Sequence, residues 1–371
     1  MTTENDYRIK ALEKVRVAAF EQDLLFKYYS EGESQLPIEK EEKKEIKYLR
    51  DEVQNEIVID DYSVKIPKDS NIVPISDVFS TEGKEVIETE SSDKIEALTN
   101  AFFDCGVLIK TEKSSEMNLD ISVQKTDKFN KSIIIVSEGS KLRLLKRLSA
   151  NPSEMKRYYE NFDIYIKRDA SLDLKMISQI NENVLMNSNI NIYNEGDVSI
   201  TNIMSGGKLA RSRVNVFLSK GSKLTIKDAS FHSGQEIEDK YINVVHRDSN
   251  SESRIDLYSI LNKNSKGIIK GMVRIKPNSS GSKTELNEKA VIIGDARVNL
   301  IPALEVGTND VIASHSDSSE TIDKDKLFYL ESKGLNEREA KLMILTGFVD
   351  KAISDEEVKE DAVKMIDSIL A

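Results

Sequence analysis

The chain has 371 residues, 53 basic and 64 acidic side chains for a formal net charge of −11, and a single cysteine. No block of Lys and Arg is interleaved with aromatics as in a nucleic-acid groove, and no apolar run approaches the roughly 20 residues that a bilayer crossing needs, so neither nucleic acid nor membrane is an expected partner. Cys105 alone excludes an intramolecular disulfide or a multi-thiolate metal site within one chain, and with no basic stretch leading into an apolar one at its start the chain is expected to be cytoplasmic.

Residues 1–60 read as an N-terminal helical region. Leu12, Val15, Val17, Phe20, Leu24 and Leu25 recur at helical spacing, and the charged run from Glu39 to Glu56 reads as a solvated helix or flexible segment before the first β-like residues, Ile57 to Ile59. From about Ala101 to Ala313 the texture changes to short alternating runs such as SIIIV, DIYIK, INIY, VNVFL and AVIIG. Several turns repeat a theme, in SEGSKLRL, KRDASLDL, NEGDVSI, SKGSKLTI and more loosely NSESRIDL. The first apolar residues after them are Leu142, Leu172, Val198, Leu224 and Ile255, at intervals of 30, 26, 26 and 31 residues.

A unit of that size has too little inward surface to bury alone and must stack on its neighbours. The strand-turn-strand texture predicts a right-handed parallel β-helix over residues 61–315, with inward Ile, Val and Leu ladders; a β-sandwich is the competing architecture. Residues 316–371 read as a lobe of three short helices. Asp323 caps the first, which carries Leu327, Phe328 and Leu330 and stops at Gly334. Asn336 with Glu339 starts the second, which Gly347 ends, and Ser354 with Glu357 forms a capping box for the third, whose stripe is Val358, Ala362, Met365 and Ile369.

The run from Ala313 to Phe348, ASHSDSSETIDKDKLFYLESKGLNEREAKLMILTGF, resembles the C-terminal signature of the SufB/SufD family of iron–sulfur cluster assembly scaffolds. Tyr258 to Val306, with its G-x-x-x-G, is similar to that family's last β-helix turns, and Asn100 to Lys113 to its entrance into the core. The position that matches the SufB cysteine holds Glu288, His315 is followed by Ser316 rather than by a carboxylate, and the SufB cysteine-rich N-terminal motif is missing. The resemblance is therefore SufD-like.

The resemblance implies a non-catalytic scaffold whose lobe docks a SufC-type ABC ATPase and whose β-helix pairs with a SufB-type paralogue or a second copy. His315 is then a candidate iron or cluster ligand at the subunit seam, for a transient cluster shared with the partner, and Glu288 is either a hard oxygen ligand or a solvated carboxylate. The lobe would dock through Leu327, Phe328, Tyr329, Gly334, Glu337, Arg338, Lys341, Gly347 and Phe348. His232 and His246, without acidic or thiol partners at ligand spacing, read as structural, and Cys105 as a buried thiol. No phosphate loop, H-E-x-x-H or nucleophile elbow occurs. Two rival readings remain: an adaptor of an ABC ATPase without cluster chemistry, and a β-helix carbohydrate-active enzyme.

Overall fold

In the computed structural model, which describes residues 46–51, 55–68, 70, 72–78 and 94–371, the period-two alternation becomes two long sheets. The opening elements are β1 (Lys47–Asp51), β2 (Glu56–Ile59), β3 (Ser63–Pro67), β4 (Val73–Pro74), the single-turn helix α1 (Ile75–Val78) and α2 (Lys94–Phe102). Strands then alternate between sheets. The second sheet takes β5 (Val107–Thr111), β7 (Lys128–Val136), β9 (Lys156–Ile166), β11 (Val184–Asn194), β13 (Leu209–Leu218), β15 (Ile237–His246), β17 (Lys266–Ile275), β19 (Arg297–Leu300) and β20 (Ala303–Val306). The first takes β6 (Ser115–Val123), β8 (Lys141–Ala150), β10 (Ser171–Ile180), β12 (Asp197–Ser205), β14 (Lys223–His232), β16 (Glu252–Leu261), β18 (Ser282–Ile292) and β21 (Val311–Thr321). All pairings among these strands are parallel, which makes a parallel β-solenoid of about seven turns.

Register explains the sequence repeat. Leu142 stacks on Leu172, Leu172 on Val198 and Val198 on Leu224, and each is at most 4% exposed. Full burial of one such side chain stabilises the fold by roughly 1.5–3 kcal/mol, so a ladder of them fixes the stacking. Ile255 follows Ile226 instead, because Leu224 pairs with Ser253. The cause is chemical: Ser253 is hydrogen-bonded to His246 and to Thr284, so the ladder turns polar at that corner.

Two strands escaped the sequence pattern. β1 lies inside the charged run expected to be helical or flexible; Ile46 and Tyr48 pack on the core and the strand pairs with β3, a tertiary contact that overrides local composition. The expected helix from Leu12 to Leu25 lies outside the described residues. β21 continues past residue 315 to Thr321, since hydrogen bonds to β18 hold it in place although no apolar alternation follows Ala313.

The C-terminal lobe has helices α3 (Lys324–Ser332), α4 (Glu337–Val349) and α5 (Glu356–Leu370). Asp323 accepts from the amides of Asp325 and Lys326, Gly334 takes φ +100°, and Asn336 and Glu339 form the expected capping box. Two punctuation marks differ. α4 runs through Gly347 to Val349, and α5 is capped by Asp355, because the Ser354 hydroxyl is occupied by Lys227. The stripe Val358, Ala362, Met365 and Ile369 is buried, and with Leu345 and Phe348 it packs on Ile203, Phe231 and Ile260 of the first sheet's outer face.

Candidate functional site at the last turn

The solenoid interior is apolar but for buried ion clusters. Lys146 donates to Glu160 at 2.5 Å, and Glu160 also accepts from Tyr158 and Ser188. Farther along, Lys240 is paired with both Asp228 and Glu238, while Asn202 and Ser259 donate to the same two carboxylates. Burial alone would raise the Glu238 carboxyl, but the Lys240 ammonium and His232 outweigh it and hold the pKa at about 2. A cavity lined by Lys146, Glu160, Ser188, Asn202 and Asp228 separates the two clusters.

His246 and His232 behave as interior groups. His246 is clasped by Ser251 at 2.8 Å and Ser253 at 2.9 Å, and burial pushes its pKa down to about 4. His232 has acidic neighbours that spacing had not suggested, with Glu236 and Glu238 each at 3.7 Å. Cys105 is fully buried at the first turn, and burial pushes its thiol well up, so it is no thiolate donor.

The last turn is different. β21 is an edge strand, paired among the described residues only with β18, and its side chains are exposed from Ser314 to Thr321. Val311 and Ala313 pack on the core, so alternation places His315 and Asp317 on the same inward side, in register above Leu286 and Glu288. His315 has no hydrogen-bonding or ionic partner among the described residues.

Glu288 is not the solvated carboxylate that sequence allowed. It is 0% exposed; Oε1 accepts from the Gly271 amide at 2.6 Å, and Oε2 has no hydrogen-bond partner among the described residues. Burial drives its pKa up to about 8 and nearby Asp317 adds to the rise, while amides of Gly271 and Ile301 oppose it. Gly271 makes the fit possible: a Cβ there would meet Glu288 Oε1 at 2.7 Å. Sequence reasoning missed Gly271 and Asp317. The first was visible as the second glycine of the G-x-x-x-G, and the second lies two residues after His315 on the same strand face.

One imidazole and two carboxylates are hard or borderline donors, of the kinds that bind divalent metals. They are not gathered into a finished site, for among the described residues no three His, Cys, Asp or Glu side chains are placed to hold a metal ion. A metal ion held there needs further donors beyond these described side chains.

In the lobe, Phe328 is 73%, Tyr329 59% and Met343 53% exposed. Glu337 pairs with Lys341, and Arg338 with Asp367, on the same exposed helix pair, and Leu327 is partly buried. Phe348, expected on the exposed flank, instead packs on Tyr258 at 4.9 Å between ring centroids. No described helix is long and apolar enough to cross a membrane.

Residues 119–348 match the family model for the SufBD core domain of SUF-system FeS cluster assembly. The chain is also similar to proteins described as iron–sulfur cluster assembly SufBD family proteins, 24% identical over 271 residues to one from Staphylococcus epidermidis and 23% to others from Staphylococcus aureus and Staphylococcus saprophyticus. These matches cover 70% of this chain and only 58% of each relative's length.

Proposed function

The chain belongs to the SufBD family of iron–sulfur cluster assembly proteins, and from that premise we propose that it is a non-catalytic, SufD-like scaffold of the cytoplasmic SUF machinery. Its β-helix core pairs with a SufB-type paralogue or a second copy, and its lobe docks a SufC-type ABC ATPase. The observation that carries this is the adjacency of two exposed surfaces. β21, with His315 and Asp317 unshielded, ends at Thr321, and α3, with Phe328 and Tyr329 in solvent, starts at Lys324.

That connection suggests a mechanism. α5 and the end of α4 are anchored to the first sheet through the apolar cluster and through Lys175, which pairs with Asp355 and Glu357. α3 has no buried residue, so the ATPase grips the lobe at its free side. When two ATPase subunits close on ATP, each pulls its lobe; the strain reaches β21 through residues 322 and 323 and opens the seam at the last turn. His315 then offers an imidazole to incoming iron, Asp317 and Glu288 offer carboxylate oxygens, and a SufB-type partner, unlike a second copy with its buried Cys105, supplies thiolate. The lone buried cysteine favours an adaptor that touches no cluster as the second reading.

Co-purification tests the docking half. Wild-type chain should form a stable complex with the SufC-type ATPase of the same organism, and F328A/Y329A should weaken it at least tenfold, given that buried aromatics dominate interface energetics. Equal binding by both would place the ATPase elsewhere.

A further inference from the structure

We propose that His232 couples the interior ion cluster to the C-terminal end of α5, so that a change of charge inside the solenoid loosens the last turn of the lobe. This coupling holds whatever docks on the lobe.

His232 ends β14 on the inward side, in step with Leu224 and Ile226, and is 0% exposed. Its ring lies between two carboxylates, with Nδ1 3.7 Å from Glu236 Oε2 and Nε2 3.7 Å from Glu238 Oε2. Neither nitrogen makes a hydrogen bond among the described residues, so opposing attractions rather than a fixed bond set the position of the ring. Glu238 reaches on to the Lys240 ammonium at 2.9 Å, and Lys240 to Asp228. One side of the ring therefore faces the interior charges, and the other faces the turn between β14 and β15.

That turn carries the anchor. Glu236 Oε2 accepts from the Ser233 amide at 2.7 Å, which closes the turn onto the acid. The Ser233 hydroxyl donates to the Ile369 carbonyl at 3.3 Å, and Asn262 Nδ2 donates to the same carbonyl at 2.7 Å. Asn262 is itself tied to His232, for its amide donates to the His232 carbonyl at 2.8 Å, and the Ser265 hydroxyl donates there too, at 3.3 Å. The last carbonyls of a helix have no partner within it. The one at Ile369 is met by two side chains that adjoin His232, one along the chain and one across the ladder. A shift of the ring towards either acid moves both donors. The start of α5 is held separately, by Lys175 with Asp355 and Glu357, so its two ends can be read apart.

Amide hydrogen exchange of the full chain under native conditions, compared between Ile366–Leu370 and Glu360–Val363, tests the coupling. Glu238→Gln, which leaves Lys240 paired with Asp228, should speed exchange at Ile366–Leu370 by about three- to tenfold, as loss of one hydrogen bond does, and leave Glu360–Val363 at the wild-type rate. Glu236→Ala, on the partly exposed side of the ring, should act alike without altering the interior, and it decides the matter if Glu238→Gln fails to fold. Asn262→Ser removes the shorter donor directly; Glu238→Gln added to it should have little further effect, because both cut one connection. Wild-type exchange at Ile366–Leu370 in the acid variants overturns the coupling. Effects that multiply in the double variant, or acceleration spread along the whole of α5, overturn it as well.

Discussion

Buried charge occurs both in the middle of the solenoid and at its last turn, and the two are treated in opposite ways. In the middle, Asp228 and Glu238 share the Lys240 ammonium, with Asn202 and Ser259 donating to the acids and His232 beside Glu238. At the last turn Glu288 has no cation: the Gly271 amide donates to Oε1, the Ile301 amide lies nearby, Oε2 has no hydrogen-bond partner among the described residues, and another carboxylate is in register. The first arrangement is complete within the chain. The second is costly as it stands, and a group kept at such cost at an open edge marks where other chemistry arrives.

Breaking the complete cluster should have the largest effect. Lys240→Met leaves two buried carboxylates without their cation and should destabilise the fold by about 3–5 kcal/mol in a urea titration. Glu288→Gln should do the reverse. The folded pKa of about 8 lies above the ordinary 4.5, so the native chain binds the extra proton between these values and stability falls as pH rises from about 4.5 to 8. Gln removes that loss and should stabilise the chain at pH 8 by about 4 kcal/mol while flattening the slope. Equal pH slopes in the two proteins would mean that Glu288 is already satisfied.

His246 supplies a slope of the opposite sign. Its folded pKa, about 4, lies below the ordinary 6.5, so the unfolded chain binds more protons in that window. Its contribution is complete above about pH 6.5 and is lost as pH falls towards 4, by about 3 kcal/mol. The rise of stability with pH between about 4 and 6.5 should flatten in His246→Gln and steepen in Glu288→Gln, which removes the opposing slope above about pH 4.5. The smallest effect is local. Asp355→Ala should cost about 1 kcal/mol and speed amide exchange in the first turn of α5, while Glu357 keeps its own ion pair with Lys175 of the solenoid.

The same contrast accounts for what the sequence disclosed. The Leu142, Leu172, Val198 and Leu224 ladder was legible because apolar side chains recur wherever a turn must bury them, and the lobe was legible from its caps at Asp323 and Asn336. β1 was hidden, since its half-buried Ile46 and Tyr48 sit among charges whose meaning depends on β3, a distant partner. His315 came from a family pattern rather than from any local signal, as a histidine in a polar strand looks like surface. The burial of Glu288 was beyond sequence reasoning, for it depends on the Gly271 amide one turn away, and Asp317 gains its place only through register with that carboxyl.

The most direct test of the last turn as the functional edge is the iron and acid-labile sulfide retained after anaerobic reconstitution of the complex with its SufC-type ATPase and pairing partner, wild type against His315→Ala. The account predicts bound iron and sulfide in the wild-type complex and a severalfold loss in the variant, with its mass by light scattering unchanged. Equal iron and sulfide in the two complexes would contradict it and remove His315 from the chemistry.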